Sequence, residues 1–323
     1  MVGSRRGCPI TRDAGGLVRI EKIVVGIDFS GPGTEAAQWT MHHLAPNAEF
    51  TFAHVIDLPP TPTFLRGVTA TDAERAASAR NVAEPRLREV ATRLASAHAR
   101  TVIRFGRAHE ELAKLAAETG ADFVVVGPHG DRPRAWKMLG TTAERLARAA
   151  APAVLVVAHP RNAPPRRVLV ALDDTPIATT VLDWTKTIAD TLGADVTTLH
   201  VLSEPTTRRS LSTPGSSAVE PNDTVGVSPE SLHEATRWLA ALGEGWFGPG
   251  RAEPVVGHGN PGDSILETAR DVGADLIILG RRGRGTLIPA IAGSTVSTVL
   301  HGAPAPVLVV TEAAEDWIAS ADE

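Results

Sequence analysis

The amino-acid sequence predicts an α/β fold made of two tandem five-stranded parallel sheets with flanking helices. Short β-branched apolar runs alternate with segments of helical spacing, a pattern typical of parallel sheets covered by helices. The order of these elements restarts near the middle of the chain. A glycine-rich loop also recurs in both halves at a constant separation, so we expect two copies of one unit.

The length of the chain suits this organisation. Its 323 residues are enough for two domains of ordinary size, and 43% of them are hydrophobic. We expect a first domain at residues 20–158 and a second at 167–312, joined by a Pro-rich linker at 159–166. Residues 1–19 contain four glycines and no periodic pattern, so we expect a flexible tail. The acidic stretch 313–323 is expected to be a C-terminal tail.

The first half contains five apolar runs expected to be strands. In order, the expected strands are Lys22–Asp28, Phe50–Ile56, Thr101–Gly106, Asp122–Val126 and Val154–Val157. The expected helices are Thr34–Leu44, Thr71–His98, Glu110–Thr119 and Thr141–Ala150. Pro85 is expected to bend or divide the second of these helices, because proline removes a backbone donor from the helix interior.

The second half repeats the first with one insertion. His54 and His200 lie in the second runs of the two halves and are 146 residues apart, whereas the fifth runs Val154–Val157 and Val307–Val310 are 153 residues apart. Seven extra residues therefore lie between the second and third strands of the second half. They map to Ser203–Pro229, which is rich in Ser, Thr and Pro and is expected to be a mobile loop.

Composition excludes several classes of function. The net charge of -5 argues against a general affinity for nucleic acid. The one cysteine, Cys8, rules out an internal disulfide. No apolar stretch reaches the roughly 18 residues of a membrane helix, and the N-terminus lacks the apolar core of a signal peptide. We therefore expect a soluble, cytoplasmic protein with no nucleic-acid and no membrane partner.

A glycine-rich loop follows the expected fourth strand in each half. Its pattern is Gly-x-x-Gly, nine residues, then Gly and two hydroxyl residues, at Gly127, Gly130, Gly140, Thr141 and Thr142 and again at Gly280, Gly283, Gly293, Ser294 and Thr295. Glycine lets backbone N–H groups approach an anion, and a helix N-terminus offers unpaired donors. One copy is weak evidence, but all three glycines recur at a separation of 153 residues. The repeat indicates a phosphate-binding loop in each half.

These features resemble the universal stress protein family in its tandem two-domain form. An aspartate ends the first strand of each half, the glycine loop follows the fourth, and Val-Leu-Val-Val forms the fifth. The resemblance covers residues 20 to 312. It implies a Rossmann-like, adenine nucleotide alpha hydrolase-like sheet in each half and adenine-nucleotide binding. It also implies an intramolecular pseudo-dimer paired through the fifth strands, and a homodimer of two chains is a further expectation.

The resemblance also implies a ligand-binding set in each half, at the carboxyl ends of the strands where strand order reverses. The sets are Asp28, Val55, Gly127, Gly130, Gly140, Thr141 and Thr142, and Asp173, Val201, Gly280, Arg281, Gly283, Arg284, Gly293, Ser294 and Thr295. By this mapping the aspartates face the adenosine, the valines offer backbone groups to the adenine, and the loops hold the phosphates. We expect ATP, with any Mg²⁺ carried by its phosphates. His54 and His200 are expected to pack beside the sheet.

The two loops differ in charge. The second contains three arginines and no acid, at Arg281, Arg282 and Arg284. Charge-assisted hydrogen bonds from guanidinium groups suit a triphosphate. The first loop contains Pro128 and Pro133, which lack an N–H, and Asp131, which would repel phosphate if it faced inward. Three cations in the first loop, Arg132, Arg134 and Lys137, partly compensate. We expect both sites to bind ATP, the second more tightly.

The sequence leaves two classes of function open. One is a nucleotide-dependent stress-response or regulatory module that acts on an unknown protein partner. The alternative is a slow ATPase or adenylating enzyme of the same fold. Ser30–Thr34 faintly resembles the loop of ATP-pyrophosphatases but lacks its second glycine and acidic-serine ending. We expect no catalytic residues, because no side chain has an obvious place as a general base. We expect no metal-ligating residues, because the neighbours His42 and His43 would point in different directions on a helix.

Overall fold

The computed structural model of the protein describes residues 18–58, 71–94, 99–130, 139–148, 153–202, 228–281 and 294–311. Their strands are β1 (Lys22–Gly26), β2 (Glu49–Ile56), β3 (Arg100–Phe105), β4 (Phe123–Val126), β5 (Ala153–Val156), β6 (Arg167–Leu172), β7 (Asp195–Leu202), β8 (Ala252–His258), β9 (Leu276–Arg281) and β10 (Val307–Thr311). Their helices are α1 (Gly31–Trp39), extended by a π-helical turn at Thr40–Leu44, α2 (Asp72–Leu94), α3 (Ala108–Thr119), α4 (Thr141–Arg148), α5 (Ile177–Leu192), α6 (Pro229–Phe247), α7 (Pro261–Asp271) and α8 (Ser294–Gly302).

The ten strands form one sheet in the order β3-β2-β1-β4-β5-β10-β9-β6-β7-β8. All neighbouring strands within each half are parallel, whereas β5 and β10 pair in antiparallel fashion. The α/β class expected from the sequence is therefore confirmed. The two five-stranded units are halves of a continuous sheet, joined inside the chain through their fifth strands.

The pairing of β5 with β10 places equivalent residues of the two halves against each other. Leu155 lies opposite Leu308, and these two residues are 153 positions apart, the same separation as the glycine loops. Val154 lies opposite Val309, and Val156 opposite Val307. A self-complementary contact of this kind implies a local two-fold axis between Leu155 and Leu308.

Helices cover both faces of the sheet, so the strands are apolar on both sides. On one face Leu87 of α2 and Trp184 of α5 belong to the same buried cluster. On the other, Leu146 of α4 and Val299 of α8 share a second buried cluster. Each cluster contains residues of both halves, so the halves share both layers of the core. The ring of Trp184 meets the edge of Phe123 across this junction, with centroids 5.9 Å apart.

Two equivalent carboxylates fix the first strand of each half. Oδ2 of Asp122 accepts hydrogen bonds from the backbone N–H groups of Glu21 and Lys22 at 2.7 and 2.8 Å. Asp275, which is 153 residues later, accepts from the backbone N–H groups of Arg166 and Arg167 at 3.1 and 3.0 Å. Burial raises the pKa of Asp122 above its ordinary value, and the two N–H donors oppose that shift. No local sequence pattern indicates this role.

Some expected boundaries differ from the structure. Val18 was expected to lie in the flexible tail, but it is buried and its carbonyl accepts a hydrogen bond from the Thr187 hydroxyl at 2.9 Å. The helix α2 is continuous across Pro85, so Pro85 does not divide it, and the alternative expectation of a bend stays a prediction. Pro229 begins α6 rather than lying in the loop, because Ser228 caps that helix by accepting from the N–H of Ser231.

Other expectations concern residues outside the described ranges. Residues 1–17, most of the expected insertion loop (203–227), and the expected C-terminal tail lie there. So do the expected ends of two helices, at residues 95–98 and 149–150. No helix in the described part of the chain combines the length and the apolar character needed to cross a membrane.

Candidate functional site

The candidate site of each half lies where the carboxyl ends of two adjacent strands meet. Val25 of β1 pairs with Val125 of β4, so Asp28 and the loop beginning at Gly127 leave the sheet side by side. In the second half Ala171 of β6 pairs with Leu279 of β9, which brings Asp173 to the loop beginning at Gly280. Strand order reverses at both points, the usual place for a ligand in an open parallel sheet.

In the first half a short hydrogen-bonded chain links Asp28 to the start of α1. Oδ1 of Asp28 accepts from the backbone N–H and the hydroxyl of Ser30, at 2.9 and 2.5 Å. Ser30 is buried and is the N-cap of α1, where its hydroxyl accepts from the N–H of Gly33 at 3.1 Å. The cap fixes one oxygen of the carboxylate relative to the helix.

The glycines of the first loop lie against this assembly at distances that exclude a side chain. A Cβ atom at Gly130 would lie 2.8 Å from Oδ2 of Asp28. A Cβ atom at Gly127 would lie 2.9 Å from the backbone nitrogen of Gly33. The strand-end aspartate and the phosphate-loop motif are separate features of the sequence, and the structure places Gly130 against Asp28 and Gly127 against Gly33.

The first loop closes on itself before α4. The N–H of Gly140 donates to the carbonyl of Pro128 at 2.6 Å, and the carbonyl of Gly140 accepts the first bond of the helix, from the N–H of Glu144. Thr141 and Thr142 then form the first residues of α4. The intervening residues 131–138, which include Asp131 and Pro133, lie outside the described ranges.

The second loop is described only at its two ends. Gly280 and Arg281 are the last residues of β9, and Ser294 and Thr295 are the first of α8. Residues 282–293, and with them Gly283, Arg284 and Gly293, lie outside the described ranges.

Gly280 lies against α5, where a Cβ atom would be 3.0 Å from Cγ2 of Val181 and 3.1 Å from Cγ2 of Ile177. Asp173 is exposed and accepts a short hydrogen bond from the hydroxyl of Thr175. The higher affinity expected for this half therefore stays a prediction.

The two strand-two histidines pack beside the sheet. Nδ1 of His54 donates to the carbonyl of Ile27 at 2.6 Å, and Nδ1 of His200 donates to the carbonyl of Leu172 at 2.9 Å. Burial lowers the pKa of His54 below its ordinary value of 6.5. The valines that follow, Val55 and Val201, are half-buried at the carboxyl ends of β2 and β7 and pack against the second buried cluster.

Phe29, His54 and Arg86 form a cluster in the first half that no local sequence pattern predicts. Phe29, directly after Asp28, has a φ of 62°, which is rare for a bulky residue. Its ring centroid lies 4.3 Å from that of the His54 ring and 4.3 Å from Cζ of the Arg86 guanidinium. These side chains line a groove of about 720 Å³ between β2 and α2. Because the second half has Asp174 at the equivalent position, comparing the repeats could have drawn attention to Phe29.

Comparison with known proteins agrees with this architecture. The model of the universal stress protein family matches residues 19–158 and again 165–311. A universal stress protein of Mycolicibacterium smegmatis is 28% identical over 307 residues, covering 89% of this chain and 96% of that protein. One of Mycobacterium tuberculosis is 27% identical over 308 residues, covering 90% and 97%.

Solved structures share the fold. The crystal structure of a universal stress protein from Archaeoglobus fulgidus matches with a TM-score of 0.63 at 19% identity, covering 91% of this chain and 99% of that one. A putative universal stress protein from Pseudomonas aeruginosa matches with a TM-score of 0.58 at 16% identity, covering 90% and 93%. With both halves matched by the family model and whole-length relatives of the same tandem form, the chain belongs to the universal stress protein family.

Proposed function

We propose that this protein binds an adenine nucleotide at the candidate site of each half and acts as a nucleotide-dependent module in a stress response. The observation that carries the proposal is the approach of Asp28 to Gly130, where Oδ2 lies 2.8 Å from the place of a Cβ atom. The loops that follow β1 and β4 thus meet through the carboxylate of Asp28, whose other oxygen is bonded to Ser30 at the N-terminus of α1. Such an arrangement suits a phosphorylated ligand.

Different residues of the first site would contact different parts of the nucleotide. Backbone N–H groups of the loop and the first turn of α4, with Thr141 and Thr142, would hold the phosphates, because the partial positive charge of a helix N-terminus stabilises anions. Asp28, fixed by Ser30, would face the adenosine, and the backbone of Val55 would meet the adenine edge. ATP would bring any Mg²⁺ on its phosphates, without a protein cage.

The second site would use the equivalent residues with a more favourable charge. Its ligand set is Asp173, Val201, Gly280, Arg281, Gly283, Arg284, Gly293, Ser294 and Thr295. Arg281 and Arg282 of this loop correspond to Pro128 and His129 in the first half. Guanidinium groups bind phosphate oxygens in bidentate fashion, so we expect the second site to be the tighter one.

The test is ATP titration by calorimetry on the whole chain, preceded by mass spectrometry of nucleotide released from freshly purified protein. Gly130→Ala would force Asp28 away from the loop, and we expect at least about a tenfold loss of affinity at the first site, or roughly 1.4 kcal/mol. Gly283→Ala tests the second site, and the ranking predicts the larger loss of total binding there.

Gly245→Ala is the matched control, because a Cβ atom at this position in α6 would have no neighbour within 4 Å. Wild-type protein that binds no adenine nucleotide would contradict the proposal, and a larger loss from Gly130→Ala would reverse the ranking. Steady release of ADP would favour the slow-ATPase alternative. Light scattering at twice the chain mass of 33.9 kDa would identify the expected homodimer.

A further inference from the structure

The helices that follow the two phosphate loops touch each other across the local two-fold axis. The hydroxyl of Ser297, one turn into α8, donates to Oε1 of Glu144, one turn into α4, at 3.2 Å. Glu144 and Ser297 are 153 residues apart and therefore occupy equivalent positions of the two halves. The contact joins the first turns of both helices at the junction between the halves.

The negative charge of Glu144 lies near the first turns of both helices. Glu144 is the acid of the first turn of α4, whereas the first turn of α8 contains none. Its carboxylate also pairs with Arg148 one turn later, at 3.0 Å, and its side chain is 30% exposed, so the surrounding water screens the charge only in part. A carboxylate in the first turn interacts favourably with the positive end of a helix.

We propose that Glu144 couples the two nucleotide sites, so that a nucleotide at one site weakens binding at the other. This inference rests on the proposed function, because it needs phosphate at the N-terminus of each helix. Each phosphate brings negative charge to a helix end that Glu144 already neutralises in part. A phosphate at the N-terminus of α4 would repel the carboxylate towards Ser297, and the negative charge would then lie closer to the N-terminus of α8, where it would weaken binding of the second phosphate. Coupling between two ligands is reciprocal, so either site senses the other equally.

The experiment measures the affinity of the first, weaker site with the second site intact, and therefore already filled, and with the second site blocked by Gly283→Ala. The probe is a non-hydrolysable ATP analogue, titrated by calorimetry at low ionic strength, where surface charges are least screened. We expect blocking the second site to tighten the first about fivefold, the lower end of typical coupling between sites. In Glu144→Gln, which keeps an acceptor for Ser297 but removes the charge, we expect that ratio to fall to about one.

Two further variants separate charge from contact. Ser297→Ala keeps the charge and removes the hydrogen bond, so we expect a ratio between those of wild type and Glu144→Gln. Glu84→Gln is the matched control, because Glu84 also pairs with an arginine one turn later, Arg88, on α2. It should leave the wild-type ratio unchanged. Thermal melting of each variant verifies that it is folded.

The outcomes distinguish this inference from the proposed function. A first-site affinity that does not depend on the second site, or a ratio that persists in folded Glu144→Gln, overturns the coupling while nucleotide binding stands. A ratio that falls equally in Glu84→Gln also overturns it, because the effect would then be one of general charge. If the wild-type protein does not bind the analogue at all, the proposed function and the coupling fall together.

Discussion

The two halves place the same glycine of the motif against different neighbours. Gly127 meets the backbone of Pro32 and Gly33 at the first turn of α1, with a Cβ position 2.9 to 3.0 Å from those atoms. Its equivalent Gly280 meets the branched side chains of Ile177 and Val181 on α5. A shared spacing of glycines therefore does not imply shared packing, because the helix that follows the first strand begins differently in each half.

The helix starts differ in their caps as well. Ser30 caps α1 and is followed by Gly31, Pro32 and Gly33, so the backbone of the first turn is bare where Gly127 approaches. Pro176 precedes α5 and makes no capping bond from its side chain. In the first half the loop and the helix approach closely because Gly127 faces Gly33. In the second half the side chains of Ile177 and Val181 lie against Gly280.

The largest expected difference between the halves concerns stability. Gly127→Ala pushes a methyl group into backbone atoms that cannot move away, and we expect a loss of about 3 kcal/mol in the free energy of unfolding. Gly280→Ala meets side chains that can adjust, and we expect about 1 kcal/mol. Urea unfolding of both variants measures the difference. Equal losses would mean that the two environments tolerate a methyl group alike.

A smaller difference is expected from the caps. Ser30→Ala removes the acceptor for Gly33 and one donor to Asp28, and should cost about 1 to 2 kcal/mol because Ser30 is buried. Thr175→Ala removes a hydroxyl bond to the exposed Asp173 and should cost about 0.5 kcal/mol or less. Urea midpoints test this order, and a Thr175→Ala cost as large as that of Ser30→Ala would contradict it.

The smallest effect is a pH dependence from His54. Its pKa is lowered in the folded protein, mainly by burial, so the unfolded chain binds more protons as pH falls below 6.5. As the pH falls below about 6.5, protonation of His54 in the unfolded chain therefore lowers the free energy of unfolding. The decrease stops below the folded pKa of His54, and there is none at higher pH. Asp28 and Arg86 act on this imidazole in opposite directions, and the backbone carbonyl of Ile27 accepts its Nδ1–H.

His54→Gln should flatten the decline in unfolding midpoint between pH 7 and pH 5, because glutamine keeps a donor for Ile27 without titrating. Thermal melts at a series of pH values measure it, with wild-type protein as the reference. An unchanged slope in the variant would show that other groups cause the decline.

The sequence predicted the features that depend on local pattern. Alternating apolar runs located the strands, and the spacing of Gly127, Gly130 and Gly140 located the first loop before α4, because both patterns are written within a few consecutive residues. Local pattern left open whether Pro85 bends or divides α2. The helix is continuous there, because burial of Leu87 and Val90 in the core outweighs the local cost of proline.

Features that depend on distant residues were not predicted. Asp122 accepts a hydrogen bond from Glu21, and Asp275 accepts one from Arg166, across about a hundred residues of sequence. No local periodicity predicts such pairs. The Glu144–Ser297 contact depends on the register in which β5 pairs with β10. The repeat offset predicts this contact only if the pairing of the two strands is already known. Phe29 has a positive φ and contacts His54 and Arg86, and residue propensity does not predict such a conformation for a bulky side chain.

The pairing of β5 with β10 also changes how the molecule depends on concentration. Two separate chains held by one pair of edge strands would part on dilution, whereas a covalent link keeps the partner strand at an effective concentration in the millimolar range or above. The junction therefore persists however little protein is present. Each half is then free to accumulate its own substitutions, such as Phe29 against Asp174, while its association with the other half is guaranteed by the chain.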